Sequence, residues 1–367
     1  MKKLVFGFLF PVAVLLIQAG CVVSEPDVEE RAPRSLTLMT WNVHNLFDGK
    51  DNGSEYNEFL ESAGWSTEKY LGRINAVSAA IETLKPQPDI VLFQEIESLK
   101  ILQDIALSIS KDFLWSHFAN NPDAALGLGI LSCLPLHDAR VHSITVDGNT
   151  TPRPVLETRI GAEKEFVVFV CHWKSKTGGD DATENVRRAS ARVILRRICE
   201  LWNNEPDLGI IIAGDLNENH NEFYRQNDGI IRALLPDDPY CAQLTGCVDG
   251  NGKENTSRQK DFIVISKNTP PMPVHFPKDS IVLFSPWLLG LENGSYFYRN
   301  NWETIDHFLI SRHFFNNTGW EYEGAKVADD QPFTNARGVP VPYNARTGSG
   351  LSDHLPLLLT LRIMGSE

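Results

Sequence analysis

The chain has 367 residues, with 34 lysines and arginines against 47 aspartates and glutamates, a formal net charge of -13 at pH 7. That length is ample for one large domain with its own core, and six cysteines are too few to be the scaffold of so long a chain. The acidity excludes long-range attraction of polyanions by the chain as a whole, so nucleic-acid binding has to rest on a local basic cleft or on bound cations.

The N-terminus reads as a targeting segment. Lys2 and Lys3 precede an uncharged run from Leu4 to Ile17, short for a membrane-spanning helix, and Ala19 and Gly20 lead directly to Cys21. Small residues before a cysteine are what a lipoprotein signal peptidase needs, although Gln18 stands where such signals usually carry Leu, Val or Ile. The expectation is a signal peptide over residues 1–20, a lipid on Cys21, an acidic tether over 21–34 and a domain over 35–364, anchored outside the cytoplasm to a bacterial membrane or cell surface. Plain secretion after cleavage near the same place is the alternative.

Beyond the tether, apolar runs of strand length alternate with helical periodicity. Strands are expected at Leu36 to Val43, Asp89 to Ile96, Leu128 to Leu134, Phe166 to Trp173, Gly209 to Leu216, Ile305 to Ser311 and Leu355 to Ile363. Their content of Val, Ile and Leu predicts cover on both faces. A first helix carries Tyr70, Leu71, Ile74, Val77, Ile81 and Leu84 and stops before Pro86; a second presents Leu99, Leu102, Ile105 and Ile109. A third opens at Asp181, with Glu184 completing a capping box and a stripe of Val186, Ser190, Val193, Arg197 and Leu201. The polar stretch 219–260 reads as loops on the same domain. Cys133, Cys171 and Cys199 lie in apolar runs as expected buried thiols, whereas Cys241 and Cys247 share a polar loop in which an oxidising compartment would let them pair.

Polar residues fall where these strands end, and strand ends converge at one edge of an α/β sheet. Asn42 closes the first strand and by itself reads as a turn cap. Glu95 follows Val91, Leu92 and Phe93, where a carboxylate is costly unless paired or bound to a cation, a helix cap being its bland role. His172 ends another strand, a position at which a lone histidine is more often structural. Asp215 and Asn217, two apart on an extended chain after Ile210, Ile211 and Ile212, point to one side and suit holding a water beside a phosphoryl oxygen. Asp306 sits inside an apolar run and demands a partner, which the adjacent Asp353 and His354 supply at the mouth of the last strand. A carboxylate against an imidazole favours its charged form and sets its tautomer.

These segments, in this order from Ser35 to Ile363, resemble the endonuclease/exonuclease/phosphatase superfamily. The resemblance implies a deoxyribonuclease I-like α/β fold: a two-sheet β-sandwich flanked by helices, in four layers. It implies Asn42, Glu95 and Asp353 at the metal, with Mg²⁺ or Mn²⁺ suiting their hard oxygens, and His172, Asp215, Asn217, Asp306 and His354 as the catalytic set. Within that set His172 matches the histidine at the scissile phosphate, and Asp306 matches the support of His354; His354 and Asp215 are rival candidates for the base. His44 stands where many members carry Asp, which leaves one or two metals open.

For the substrate, Lys174, Lys176, Arg187, Arg188, Arg192 and Arg196 form a basic interruption of an acidic chain, the arginines reading equally as a solvated helix face. Lys174, Lys176 and Arg188 are the candidate phosphate contacts. The stretch from His172 to Arg188 looks like the secreted nucleases of the superfamily, so the expected activity is a non-specific endo- or exonuclease acting as a monomer on nucleic acid. A sphingomyelinase-like or inositol-phosphate hydrolase is the alternative, and a non-catalytic surface binding protein the third.

Overall fold

The computed structural model describes residues 35–364 except 123, 162, 163, 250 and 255–260. The expected signal peptide, Cys21 and the tether over 21–34 lie outside the described residues. Two mixed sheets are present. The six-stranded sheet runs Gly319–Val327, Leu357–Met364, Ser35–Leu46, Ile90–Ile96, Gly127–Ser132, Trp115–Ala119. The eight-stranded sheet runs Leu234–Pro236, Ile263–Ser266, Val282–Phe284, Asp306–Ile310, Gly209–Asp215, Phe166–His172, Val155–Ile160, Leu136–His142.

Alternation along the strands produces the layers. Leu36, Leu38, Ile90 and Leu92 of one sheet meet Val168, Val170, Ile211, Ala213 and Phe308 of the other in the central core. Met39, Trp41, Val91 and Phe93 point the opposite way, under helix α1 (Thr67–Thr83) and helix α2 (Leu99–Ser108). Val167, Phe169, Ile210 and Ile212 do the same beneath helix α3 (Asp180–Asn204). The result is helix, sheet, sheet, helix: the four-layer sandwich expected, with the central strands covered on both faces.

Every expected strand and helix is present, within a few residues at its ends. The helix faces needed correction. Leu71 and Leu99 are exposed, while Arg73 and Ile101 are buried in their place. Helix α3 has Gly179 at its N-cap, which has no side chain to cap with, and the Glu184 of the expected capping box is turned inward to accept from Arg187 Nη2 at 2.6 Å and from Ala233 N at 2.7 Å. Its buried stripe is Arg187, Ala191, Ile194, Ile198 and Leu201, shifted from the one expected. Among its described residues the stretch 219–260 holds two short helices, Glu222–Gln226 and Pro239–Leu244, and the edge strand Leu234–Pro236. Cys199 is exposed, Cys133 half-buried and Cys171 buried. Cys241 and Cys247 lie in an apolar cluster with Phe223, Phe262 and Phe276, so their segment is core and not polar loop.

Gly214 fixes how closely the strands ending at His172 and Asp215 approach. Its φ is +128°, and an added Cβ would come within 2.0 Å of the Cys171 carbonyl oxygen. Gly214→Ala is therefore expected to destabilise the domain by on the order of 3 kcal/mol, read as a fall in Tm, through a strained backbone and a displaced strand. A variant melting with wild type would show that this approach can relax.

Candidate active site

The ends of six strands meet where the two sheets face each other. Asp306 starts its strand in the eight-stranded sheet and is fully buried; His354 precedes the last strand of the six-stranded sheet. Their side chains meet at 2.8 Å, His354 Nδ1 to Asp306 Oδ2. His354 Nε2 then faces Asp215 Oδ2 at 3.9 Å, and His172 Nε2 approaches the same oxygen at 3.4 Å. One buried carboxylate thus lies between two imidazoles.

Asn42 bridges the sheets from the other side. Its amide nitrogen donates to Glu95 Oε1 at 3.0 Å and to Asp215 Oδ2 at 3.1 Å. Its oxygen accepts the His44 backbone N–H at 3.0 Å, which fixes the amide's orientation. Asn42, expected at the metal, is thereby held between the carboxylates of Glu95 and Asp215. Glu95 Oε2 accepts from Asn45 N at 2.9 Å, and Oε1 lies 3.6 Å from His172 Nε2. Asp353 is half-buried on the cavity wall beside His354.

The strand ends are bent to make this possible. His44, Asn45, Glu95 and Asn217 all have positive φ, of 56°, 57°, 63° and 51°. Asp215 and Asn217 were expected on one continuous extended run. Instead the strand stops at Asp215, whose Oδ1 accepts Asn217 N at 2.9 Å, and the Asn217 amide turns back to the Trp173 carbonyl at 3.0 Å. Ser352 Oγ donates to the Asn42 carbonyl at 2.6 Å and Trp41 Nε1 to the His354 carbonyl at 3.0 Å, tying the last strand's entry to the first strand's exit.

Burial works to lower the His354 imidazole, but Asp306 overrides it and raises the group to about 10. Burial pushes the Asp215 carboxyl up to about 7, Asp306 adding to the rise and His354 opposing it. Burial, with Arg153 and His354 nearby, holds His172 well below its ordinary value, so it stays neutral.

These groups floor an open cavity of about 620 Å³. Lys176 lines it, paired with Glu222 at 2.5 Å. Lys174 turns aside, donating to the Thr177 carbonyl at 3.2 Å. Arg188 does not reach the cavity: it pairs with Asp261 at 2.8 Å in a separate groove with Arg192 and Arg196, because its side of helix α3 faces away. Arg187 is no part of a basic face either, being fully buried between Glu184 and Glu218. Residues missed from sequence include Arg153, which lines the cavity and donates to the Trp173 carbonyl. A basic residue between Pro152 and Pro154, just ahead of an apolar strand, was the available signal. Tyr296, Tyr298 and Arg299 also line the cavity, from a segment with no periodicity long enough to read.

Two mixed sheets face to face, with acids and imidazoles gathered where their strands end, define the deoxyribonuclease I-like class of α/β sandwich. The chain belongs to the endonuclease/exonuclease/phosphatase family, whose sequence signature matches residues 37–228 and whose members are metal-dependent phosphoesterases. No curated protein matches the sequence. Among solved structures, an endonuclease/exonuclease/phosphatase family protein from Bacteroides thetaiotaomicron is similar at 16% identity and a TM-score of 0.51, over 90% of this chain and 96% of that one. A mannosyl-6-phosphatase of the same organism is similar at 16% identity and a TM-score of 0.50, covering 89% and 99%. Truncated Caenorhabditis elegans TDP2 is similar at 12% identity and a TM-score of 0.50, covering 89% and 97%. At such identities the likeness concerns the fold.

The Asp306 to His354 contact predicts non-additive losses. In a phosphodiesterase assay, His354→Ala and Asp306→Ala should each lower kcat by about 10²- to 10⁴-fold, and the double variant should lose little more than His354→Ala alone. Thermal melts must accompany the kinetics, since Asp306 is buried. Multiplicative losses in folded protein would show that the two act independently.

Proposed function

We propose that this chain is an extracytoplasmic, divalent-cation-dependent phosphodiester hydrolase that acts on nucleic acid and is held to a bacterial membrane by a lipid on Cys21. The observation that carries the hydrolase reading is the buried Asp215 carboxylate held between His354 and His172, with His354 braced by Asp306.

The donor set fits a hard cation. Glu95 and Asp353 both line the cavity, with no thiol among its lining residues, which suits Mg²⁺ or Mn²⁺. Such an ion, held by these two residues, supplies neutralisation of the phosphate's negative charge. Asp215 takes the proton of the attacking water. His354 has Nδ1 occupied by Asp306 and is kept cationic by it, so it offers positive charge and a donor N–H rather than a free lone pair. Neutral His172 and the Asn217 turn sit beside Asp215 to orient a phosphoryl oxygen, and Arg153 brings a fixed charge to the same cavity. Asp215, Asp306 and His354 also place ligand atoms within 4.8 Å of one another, but Asp306 and His354 are committed to each other.

The nucleic-acid reading is supported by Arg153, whose charge acts on Asp215 and His172, and by the secreted-nuclease character of the stretch after His172. One observation favours a second reading, hydrolysis of a small phosphate ester such as an inositol phosphate. The outer cavity is walled by Lys176 with Glu222 and by Arg225 with Glu303, charges already paired and disposed like partners for hydroxyl groups, and a fold neighbour is a sugar phosphatase.

The purified protein should cleave plasmid DNA or RNA with Mg²⁺ and leave sphingomyelin and inositol polyphosphates intact. Hydrolysis of inositol polyphosphates alone would transfer the assignment to the second reading, and full turnover in excess EDTA would remove the cation from the mechanism. Separately, Cys21→Ser should release the protein from membranes with turnover preserved. Wild type that takes up no radiolabelled palmitate would end the lipid-anchor reading.

A further inference from the structure

A hairpin pairs Tyr296–Tyr298 with Asn301–Glu303 through a turn at Arg299 and Asn300, whose φ values are 48° and 63°. Side chains alternate across its two faces. On one face Phe297 and Trp302 meet edge to face at 5.1 Å, and Trp302 packs on the core beneath α1 and α2. That contact seats this face of the hairpin on the core. The opposite face carries Tyr296 and Tyr298, both turned to the catalytic cavity and not needed for that packing.

The two tyrosines are stacked, with centroids 6.1 Å apart and planes 17° from parallel. The inner ring, Tyr296, lies 4.6 Å from the His354 imidazole. The outer ring, Tyr298, is 47% exposed and has the Arg299 guanidinium over it at 5.1 Å. The root of the hairpin is bound to the catalytic strand entry, since Leu355 N donates to the Ser295 carbonyl at 2.6 Å. A row of planar groups therefore runs from the reacting centre to solvent: imidazole, phenol, phenol, guanidinium. Half-exposed aromatic surface in a strongly polar cavity has a use when a flat ligand covers it, and the Arg299 charge beside it favours a phosphate-bearing one.

We propose that Tyr298, with Arg299, is a stacking platform for the nucleobase of the nucleotide next to the phosphate being cleaved, and that this hairpin makes the site prefer nucleic acid to other phosphodiesters. The proposal rests on the nuclease reading and deepens it. Stacking serves any base because every base has a π-face, which agrees with action that is not sequence-specific.

The test compares kcat/KM on a short DNA oligonucleotide with that on the same backbone carrying base-free tetrahydrofuran residues. Wild type should prefer the base-bearing strand by about ten- to a hundredfold. Tyr298→Ala should bring that preference to within about twofold of unity, chiefly through KM, while Tyr298→Trp retains it; Arg299→Ala, at the turn, should lower it by a smaller factor. An unchanged preference in Tyr298→Ala and Arg299→Ala, or equal losses on both substrates, would overturn the platform and leave nuclease activity standing. A wild type that cleaves neither oligonucleotide yet hydrolyses an inositol phosphate would overturn the nuclease reading and the platform with it.

Discussion

The contact between Asp306 and His354 joins the two sheets at the rim of their shared apolar core. Asp306 comes from the eight-stranded sheet and His354 from the entry to the last strand of the six-stranded one, and they meet at 2.8 Å. Asn42 to Asp215 at 3.1 Å and Glu95 to His172 at 3.6 Å make the same crossing. The site is therefore a seam: neither sheet contains it, and it exists only while the central apolar core holds the sheets at the spacing these side chains can bridge. A buried carboxylate is costly when isolated, and here each has a partner in the opposite layer. The core positions the charges, and the charges in turn specify how the layers register.

The bends at the strand ends are part of the same device. The strand paths bend at these ends: left-handed residues lie at Glu95 itself, two and three residues after Asn42, and two residues after Asp215. Arg73 lies buried beneath the first bend, donating to the His44 carbonyl at 2.5 Å with its guanidinium 3.6 Å over the Tyr343 ring. The bend at Asn217 is underpinned by Glu218, which joins Arg187 at 3.1 Å and accepts Leu234 N at 2.7 Å. Removing one member of such a buried charge network strands its partner, at a cost of about 3–5 kcal/mol. The strain at the site is thus carried by polar groups that never face the cavity.

Charge is handled locally. A chain of net charge -13 brings Arg153 and Lys176 to the cavity and keeps its remaining helix α3 cations elsewhere, Arg187 inside the protein and Arg188 on another groove. Arg153 and Lys176 are local to the cavity, whereas the overall charge opposes general polyanion attraction.

Much of this was legible in the sequence because it depends on local pattern. Apolar runs of strand length, helical spacing and the polar residue at each strand's end are consequences of covalent order; they announced strands covered on both faces and brought forward Glu95, His172, Asp215, Asp306 and His354, while the four-layer class came with the family resemblance. Which face of a helix is buried was less legible, because Arg73 and Arg187 are buried by partners distant in sequence that outweigh their desolvation. Arg188 was misplaced for a similar reason: helical periodicity gives a face but not what lies opposite it. The cavity wall of Arg153, Tyr296, Tyr298 and Arg299 was invisible because short hairpins and proline-flanked turns carry no period, and only the packing of the sheets decides that they close over the strand ends. Residue order determined which chemistry each strand carries to its end. Tertiary structure alone decided which of those groups touch, since the contacts across the seam, such as Asn42 with Asp215 and Asp306 with His354, join residues 173 and 48 positions apart in the chain.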